Sequence, residues 1–267
     1  MAGKGKYYES QFEEATIELL RESHWQYTFG DDIHRKYTDP LIEEDLRTFL
    51  AAQYKDKKLT ASEVDGIVAN LRNTGGQNDY YALQNTFLLY RDGYDFTYSD
   101  GRDNPFRLQY IDFEHPDHNI FRCVNQFVME QGRENRRPDI LLFVNGISVC
   151  IVELKNPTKQ NATIRDAYTQ ICTRYMRDIP ALLKYCALAV ISDGAKNKLG
   201  TPYTPFEFFY EWKKIDNEDK AGKGLDTLRT LVRGALSPER ILEILRDYVY
   251  FPDPTKEDDT TEIVCRY

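Results

Sequence analysis

Two apolar segments around an Asn-Gly pair dominate the middle of the chain, at Ile140–Val144 and Ile147–Val152. Asn145-Gly146 can supply the two positive φ angles that a type I′ turn requires, so this stretch predicts a β-hairpin. Both segments are apolar on both faces, which is typical of strands in the middle of a sheet. We therefore expect an α/β fold in which a mixed central β-sheet, flanked by helices, is organised around this buried hairpin.

The open end of the hairpin carries charged residues, namely Asp139, Glu153 and Lys155. Side chains alternate along a strand, so alternate residues of the second segment are expected to share one face. On that face we place Ile147, Val149, Ile151, Glu153 and Lys155. Charged groups so close to a core are costly unless they are paired or bind a metal, which marks this end as a candidate site.

The register of the hairpin decides whether the two carboxylates can meet. A regular two-residue turn would place Asp139 opposite Val152, so that its side chain points away from Glu153. The carboxylates converge only if the ladder slips by one residue, and bulges that redirect side chains are common beside active sites. We therefore predict an irregularity near Pro138–Asp139 or Val152–Glu153.

Two converging carboxylates suit Mg²⁺, a hard cation that prefers oxygen ligands. Such a cation polarises a phosphoryl oxygen and lowers the pKa of water, and a nearby lysine can offset charge that develops on phosphate. Pro138-Asp139 followed by Glu153-x-Lys155 is the pattern of the PD-(D/E)xK nucleases. The pattern is short, and a salt-bridged strand end is its alternative interpretation.

A longer series of motifs resembles one family. In chain order these are Val124-Asn125-Gln126-Phe127, Arg137-Pro138-Asp139-Ile140, Asn145-Gly146, Val152-Glu153-Leu154-Lys155-Asn156-Pro157, Ile179-Pro180 and Val190-Ile191-Ser192-Asp193-Gly194. The series resembles the N-terminal endonuclease domain of the R subunit of type I restriction enzymes. This resemblance implies a PD-(D/E)xK restriction-endonuclease-like core that cleaves DNA with Mg²⁺ and is fused to an ATP-driven translocase. It also implies that Asp139 and Glu153 bind the metal and that Lys155 is catalytic.

The resemblance further implies a Gln and a Tyr four residues apart on the helix after the Glu153 strand. The candidates here are Gln170 and Tyr175, which are five apart, and an α-helix turns such a pair away from one another. We keep Gln170 as a catalytic candidate, with an ordinary polar helix residue as the alternative interpretation, and leave the role of Tyr175 open. In the first helix, Glu13 is a third candidate metal ligand by resemblance, although the sequence alone favours a solvated helix position for it.

The composition limits the classes of protein. The 267 residues include five cysteines without a CxxC pair, so we expect a reduced, cytoplasmic protein without a zinc site. Neither a signal peptide nor a membrane-spanning run is present in the sequence, and we expect no membrane association.

The net charge of the chain is −8, but residues 133–177 carry +4 and the remainder carries −12. Positive charge is therefore concentrated in the segment that contains the candidate site. We expect this piece alone to bind double-stranded DNA weakly.

Three parts follow one another along the chain. We expect a helical N-terminal portion at 1–92, the nuclease core at 93–250, and a linker at 251–267 that leads toward a motor domain. The sequence has no Gly-rich phosphate loop ending in Lys-Ser/Thr, so we expect ATP to bind elsewhere in a longer subunit.

Asn161 is a candidate cap for the helix after the Glu153 strand. His115 and His118 lie in a predicted turn with no evident third ligand, so we predict surface histidines.

The function that these observations favour is a type I site-specific deoxyribonuclease domain. Its expected partners are DNA and the modification (methyltransferase) and specificity subunits of a restriction complex. A free-standing PD-(D/E)xK repair or recombination nuclease is the alternative within the same chemistry. The alternative from another class is a non-catalytic domain that binds DNA or docks subunits, and the complete Asp139, Glu153 and Lys155 set argues against it.

Overall fold

A computed structural model describes residues 3–155, 163–215, 225–252 and 262–265, with the side chains of 3–9 and 225 left aside. Its centre is a six-stranded mixed sheet with helices packed against it, as the sequence predicted. In the described part of the chain, no helix combines the length and the apolar character needed to cross a bilayer.

In the described residues, helices occur before, between and after the strands of the main sheet along the chain. They are α1 (Gly3–Glu22), α2 (Glu43–Gln53), α3 (Ala61–Asn73), α4 (Asp79–Asp92), α5 (Ile164–Thr169), α6 (Met176–Asp178), α7 (Pro180–Leu183), α8 (Leu225–Ala235) and α9 (Pro238–Asp247). Between α5 and α6 the chain forms a π-helix at Gln170–Tyr175. Short 3₁₀ turns occupy Gly30–Asp32, Lys55–Lys57, Pro116–His118 and Phe206–Phe208. Four helices therefore precede most of the sheet, in agreement with the predicted helical N-terminal portion.

The strands are mostly short. They are β1 (Gln26–Phe29), β2 (Tyr94–Phe96), β3 (Phe106–Leu108), β4 (Phe121–Asn125), β5 (Met129–Gln131), β6 (Glu134–Arg136), β7 (Ile140–Val144), β8 (Ile147–Leu154), β9 (Leu188–Ser192), β10 (Asn197–Gly200), β11 (Val249–Tyr250) and β12 (Ile263–Val264). The main sheet has the order β1-β4-β7-β8-β9-β10, and the others form two-stranded ladders. β8 pairs in parallel with β9, and the helical segment from α5 to α7 connects these two strands.

The central hairpin has the predicted Asn-Gly turn, with φ of 51° at Asn145 and 76° at Gly146. Its ladder contains the predicted one-residue slip, but the predicted place was wrong. The register shifts between Leu142 and Phe143, which face Cys150 and Ser148, so that Val149 is the extra residue. A β-bulge thus lies near the turn rather than at the open end of the hairpin.

The bulge also changes which residues of β8 share a face. Ile151 packs in a hydrophobic cluster with Leu141, whereas Ile147 and Val149 belong to the cluster on the opposite face. The expected strip from Ile147 to Glu153 was therefore wrong in its first half, because the extra residue interrupts the alternation. Past the bulge the alternation is regular, and Glu153 falls on the Ile151 face.

Two further differences concern the edges of the core. Strand β1, which was not predicted, pairs in parallel with β4 and forms one edge of the main sheet. The helix after β8 begins at Ile164, where Asp166 accepts hydrogen bonds from the backbone N–H and hydroxyl of Thr163. The predicted cap at Asn161 lies outside the described residues.

Candidate active site

Asp139 is held at the open end of the hairpin, immediately before β7. Ile140 pairs with Val152, so Asp139 and Glu153 are the next residues toward the open end on their two strands. The backbone N–H of Leu154 donates a 2.8 Å hydrogen bond to Asp139 Oδ2. The bulge therefore brings both carboxylates to one face, which is the condition set by the sequence analysis.

Glu153 is the more buried of the two acids, with 1% of its surface exposed. Its Oε2 accepts no hydrogen bond of normal length in the part of the chain that the structure describes, although the Tyr175 hydroxyl interacts with this carboxylate and lowers its pKa. Burial raises the pKa of Glu153 well above its ordinary value, and the nearby Asp139 charge adds to this while Lys155 opposes it. A buried carboxylate oxygen without a donor, beside a second carboxylate, fits a site for a divalent cation.

Lys155 completes the predicted group of three. Its Nζ donates a 2.6 Å hydrogen bond to Glu153 Oε1 and a 2.8 Å hydrogen bond to Gln170 Oε1. The backbone N–H of Lys155 donates to the carbonyl of Ser192 on β9, which fixes the strand end. The ammonium group is thus bound between the carboxylate and an amide of the following helix.

Gln170 and Tyr175 lie close together in spite of their five-residue spacing. Gln170 Nε2 donates a 2.7 Å hydrogen bond to the Tyr175 hydroxyl, which leaves its Oε1 for Lys155. The two residues are the first and last of the π-helix, whose wider turn returns residues i and i+5 to one face. The expectation that this spacing separates them assumed an α-helix and was wrong. Burial, and then the Glu153 charge, raises the pKa of Tyr175.

Glu13 lies next to this group but is bound by other residues. Its carboxylate accepts hydrogen bonds from Asn125 Nδ2 at 2.6 Å and from Gln126 Nε2 at 2.9 and 3.0 Å. The backbone N–H of Gln126 in turn donates to the carbonyl of Asp139. Gln126 therefore links Glu13 to Asp139 through hydrogen bonds. The role of Glu13 as a metal ligand stays a prediction.

Asn125 and Gln126 are residues of the site region to which the sequence analysis gave no role. Asn125 is buried at the end of β4, and Gln126 has a positive φ of 55°. A polar Asn-Gln pair at the end of a largely apolar strand was the available signal. The left-handed backbone at Gln126 was not predictable, because Gln has little intrinsic preference for that region.

The positive charge expected around the site is partly neutralised. Arg136 and Arg177 both contact the buried carboxylate of Asp178, at 2.7 and 2.6 Å. Arg165 lies over the ring of Phe206, 4.3 Å from its centroid, and is exposed. Lys159 lies outside the described residues. The basic residues of 133–177 therefore include Arg136 and Arg177, which are paired with a buried acid, as well as Arg165, which has no such partner among the described residues.

The mixed sheet, with an acid at the start of one strand and Glu-x-Lys at the end of its neighbour, defines an α/β domain of the PD-(D/E)xK nuclease type. Comparison with known proteins agrees with this class. The family described as type I restriction enzyme R protein N terminus matches residues 6–208, and the chain belongs to that family.

Two similar proteins are named endonuclease subunits of type I restriction enzymes. The chain is 30% identical over 255 residues to the type I restriction enzyme HindI endonuclease subunit of Haemophilus influenzae, covering 91% of this chain and 24% of that protein. It is 28% identical over 270 residues to the putative type I restriction enzyme MjaIXP endonuclease subunit of Methanocaldococcus jannaschii, covering 89% and 25%. The chain thus spans about a quarter of the length of these relatives.

Proposed function

We propose that this domain is the Mg²⁺-dependent DNA endonuclease of a type I restriction R subunit. The observation that carries the proposal is the buried Glu153 carboxylate, whose Oε2 accepts no hydrogen bond of normal length in the described chain while Oε1 accepts from Lys155. A purely structural ion pair gains nothing from a second, unpartnered carboxylate oxygen, since buried unsatisfied oxygens destabilise a fold.

Asp139 and Glu153 are the residues that would hold the metal, with Glu13 as a candidate third carboxylate. When bound, Mg²⁺ would supply Lewis-acid polarisation of the scissile phosphate and a lowered pKa for the attacking water. The hydrogen bond from Leu154 N–H to Asp139 Oδ2 keeps that carboxylate in place before any cation arrives. Such preorganisation reduces the entropy lost on binding.

Lys155 is proposed to act on the phosphate or on the attacking water. An ammonium group has three N–H donors, and Glu153 and Gln170 accept two of them. The third can donate to a substrate oxygen, and the positive charge would offset the negative charge that develops in the transition state. Gln170, oriented by Tyr175, limits the directions in which that third donor can point.

The longer protein and its assembly belong to the same proposal. The relatives are named endonuclease subunits of type I restriction enzymes and are about four times as long as this chain. We propose that a part of the subunit beyond these residues uses ATP to translocate DNA, and that modification and specificity subunits select the target in the cytoplasm. The mixed charge around the site supports weak DNA binding by this domain alone.

The experiment combines metal binding with cleavage. Mn²⁺ and Mg²⁺ binding is measured by calorimetry for the wild type, for Asp139→Ala and for the control Asp56→Ala, which removes an exposed carboxylate from a 3₁₀ turn outside the site. Cleavage of plasmid DNA is then measured in the reconstituted restriction complex with ATP. We expect Asp139→Ala to lose both metal binding and cleavage while its circular dichroism spectrum is unchanged.

Other outcomes would decide against the proposal. Metal binding that is equal in the wild type and in Asp139→Ala, together with cleavage at the wild-type rate, would remove Asp139 from the site. Absence of metal binding and of cleavage in the wild type would favour a non-catalytic DNA-binding or docking domain. Efficient cleavage by this chain without ATP or other subunits would favour the free-standing nuclease.

A further inference from the structure

A loop between β3 and β4 brings one aspartate and two histidines together, away from the candidate active site. Asp112, His115 and His118 each offer one ligand atom, and the three atoms lie within 4.8 Å of one another. The Asp112 side chain is 7% exposed, while those of His115 and His118 are 64% and 50% exposed. The histidines are on the surface as predicted, but the assumption that they lack a third partner was wrong.

Both imidazoles turn the same nitrogen toward one oxygen. His118 Nδ1 is 2.9 Å and His115 Nδ1 is 3.4 Å from Asp112 Oδ2, and the two rings are stacked with centroids 4.8 Å apart. Gln53 Nε2 also donates to this oxygen at 2.9 Å. A carboxylate oxygen has two lone pairs, and hydrogen bonds from Gln53 and His118 use both of them, so His115 cannot donate a third hydrogen bond to Oδ2. A cation between the three groups would take the place of the His118 hydrogen bond and accept one lone pair from Oδ2 and one from each imidazole.

The carboxylate is fixed independently of the histidine side chains. Asp112 Oδ1 accepts hydrogen bonds from the backbone N–H groups of Glu114 and His115, at 3.0 and 2.9 Å. The Asn119 side chain binds both the N–H and the carbonyl of Asp112, and it also accepts a hydrogen bond from Asn145 in the central hairpin turn. This second layer of contacts orients a ligand in the way that outer-shell residues do at metal sites.

We propose that Asp112, His115 and His118 form a binding site for a divalent transition-metal ion of the Zn²⁺ type. Imidazole nitrogen with one carboxylate suits Zn²⁺, whereas Mg²⁺ prefers oxygen ligands alone. Metal–ligand bonds of about 2.0–2.1 Å in a tetrahedron separate the ligand atoms by roughly 3.3 Å. The His115 separation of 3.4 Å matches this value, and the exposed His118 ring needs to move outward by a few tenths of an ångström. The two imidazole nitrogens lie within 4.8 Å of one another, and their exposed rings would turn to bring these atoms to the same separation.

The proposed site would connect the loop to the rest of the domain. Asp112 joins Gln53 at the end of α2 and, through Asn119, the Asn145 turn. The turn and the candidate active site are at opposite ends of β8, roughly 20 Å apart at the rise of a strand. Zn²⁺ here would therefore act as a structural crosslink without touching Asp139 or Glu153.

The experiment measures Zn²⁺ binding by competition with a chromophoric chelator, and Co²⁺ coordination by its visible absorption. All proteins carry Cys265→Ser, which removes an exposed thiol that could bind Zn²⁺, and Asp139→Ala, which removes the candidate Mg²⁺ site. The test variants are His115→Ala, His118→Ala and their combination. The matched control is His24→Asn with His34→Ala, which removes two other exposed imidazoles and keeps a residue suited to the positive φ of His24.

We expect one equivalent of Zn²⁺ in the parent and in the control, with a rise in melting temperature on Zn²⁺ addition in both. Each single variant should bind at least about tenfold more weakly, and the double variant should not bind. The histidine substitutions leave the Asp112 backbone contacts in place, so unchanged melting without metal will show that the fold is intact. Absence of Zn²⁺ binding in the parent, or equal binding in the double variant, would overturn the proposal.

Discussion

Gln170 and Tyr175 are joined by a 2.7 Å hydrogen bond although five residues separate them in the sequence. The bond exists because the chain from Gln170 to Tyr175 forms a π-helix, which has more residues per turn than an α-helix. An α-helix would need a four-residue spacing to make the same contact. The local widening of the helix thus compensates for one additional residue and keeps the tyrosine beside Gln170 and Glu153.

The first prediction concerns the hydroxyl of Tyr175. Tyr175→Phe keeps the buried ring but removes the partner of the Gln170 amide, so Gln170 should orient Lys155 less well. We expect cleavage by the reconstituted enzyme to fall between about 10- and 100-fold, the range for small misplacements of catalytic groups. The free energy of unfolding should fall by roughly 0.5–1.5 kcal/mol for the lost hydrogen bond.

Tyr90→Phe is the matched control for this substitution. The Tyr90 hydroxyl is buried and donates to the carbonyl of Tyr185, on the other side of the core from the site. It should lose a similar free energy of unfolding, measured by urea denaturation, and keep its cleavage rate. Equal cleavage by Tyr175→Phe and the wild type would show that the Gln170–Tyr175 contact only supports the fold.

The second prediction concerns Lys155 itself. Lys155→Ala removes the only ammonium among the contacts of Glu153 that we describe, and we expect cleavage to fall by at least about 100-fold, as for other transition-state charge stabilisers. DNA binding in gel-shift assays should change little, because one charge contributes modestly to total affinity. The control Lys55→Ala removes an exposed lysine outside the site and should cleave normally. Normal cleavage by Lys155→Ala would exclude the lysine from the chemistry.

The hairpin illustrates how far the sequence could predict the site. Asn145-Gly146 marks the turn by its intrinsic preference for positive φ, and the need for a slip follows from the opposed positions of Asp139 and Glu153. The place of the bulge at Val149 did not follow, because every residue from Ile147 to Val152 is buried, including the hydroxyl residue Ser148, so no exposed position marks the change of face. Packing on both faces of the sheet, rather than local sequence, selects the bulged residue.

Two further features were not predicted, for related reasons: strand β1 at the edge of the sheet, and the contacts of Asp112 in the loop between β3 and β4. Gln26–Phe29 is a four-residue strand that is mostly exposed, and its pairing with β4 joins residues almost one hundred positions apart. Periodicity carries little information over four residues. Likewise, the contact of Gln53 with Asp112 depends on the packing of α2 against the loop, which no spacing within the loop could indicate.

The third prediction concerns the turn of the hairpin. Gly146 has a positive φ of 76°, and a Cβ at this position would lie 2.1 Å from the carbonyl oxygen of Ile42. Gly146→Ala should therefore lower the free energy of unfolding by more than the roughly 1–2 kcal/mol that left-handed backbone costs an L-residue. In contrast, Gly66→Ala in α3 meets no atom within 4 Å and should raise it by about 0.5–1 kcal/mol. Urea denaturation of both variants checks the pair, and stabilisation by Gly146→Ala would contradict the turn geometry.

The last prediction follows from the cap of α3. The Glu63 carboxylate accepts hydrogen bonds from the backbone N–H of Thr60 at 2.8 Å and from both terminal nitrogens of Arg102 at 2.6 and 2.9 Å. Hydrogen bonding to Arg102, and then to the Thr60 N–H, lowers the pKa of Glu63 from 4.5 to about 2. The charged form is therefore favoured in the folded state, and its contribution to stability is present above pH 4.5 and lost as the pH falls toward 2.

Glu63→Gln tests this pH dependence directly. The variant should unfold at lower urea concentration than the wild type at pH 7, and the difference between the two midpoints should narrow between pH 4.5 and pH 2, where Glu63 becomes protonated in both states. The control Glu44→Gln changes an exposed glutamate in the first turn of α2 and should give a smaller difference at pH 7. A midpoint difference for Glu63→Gln that stays constant from pH 7 to pH 2 would mean that the cap acts through its shape alone and that the ion pair with Arg102 adds nothing.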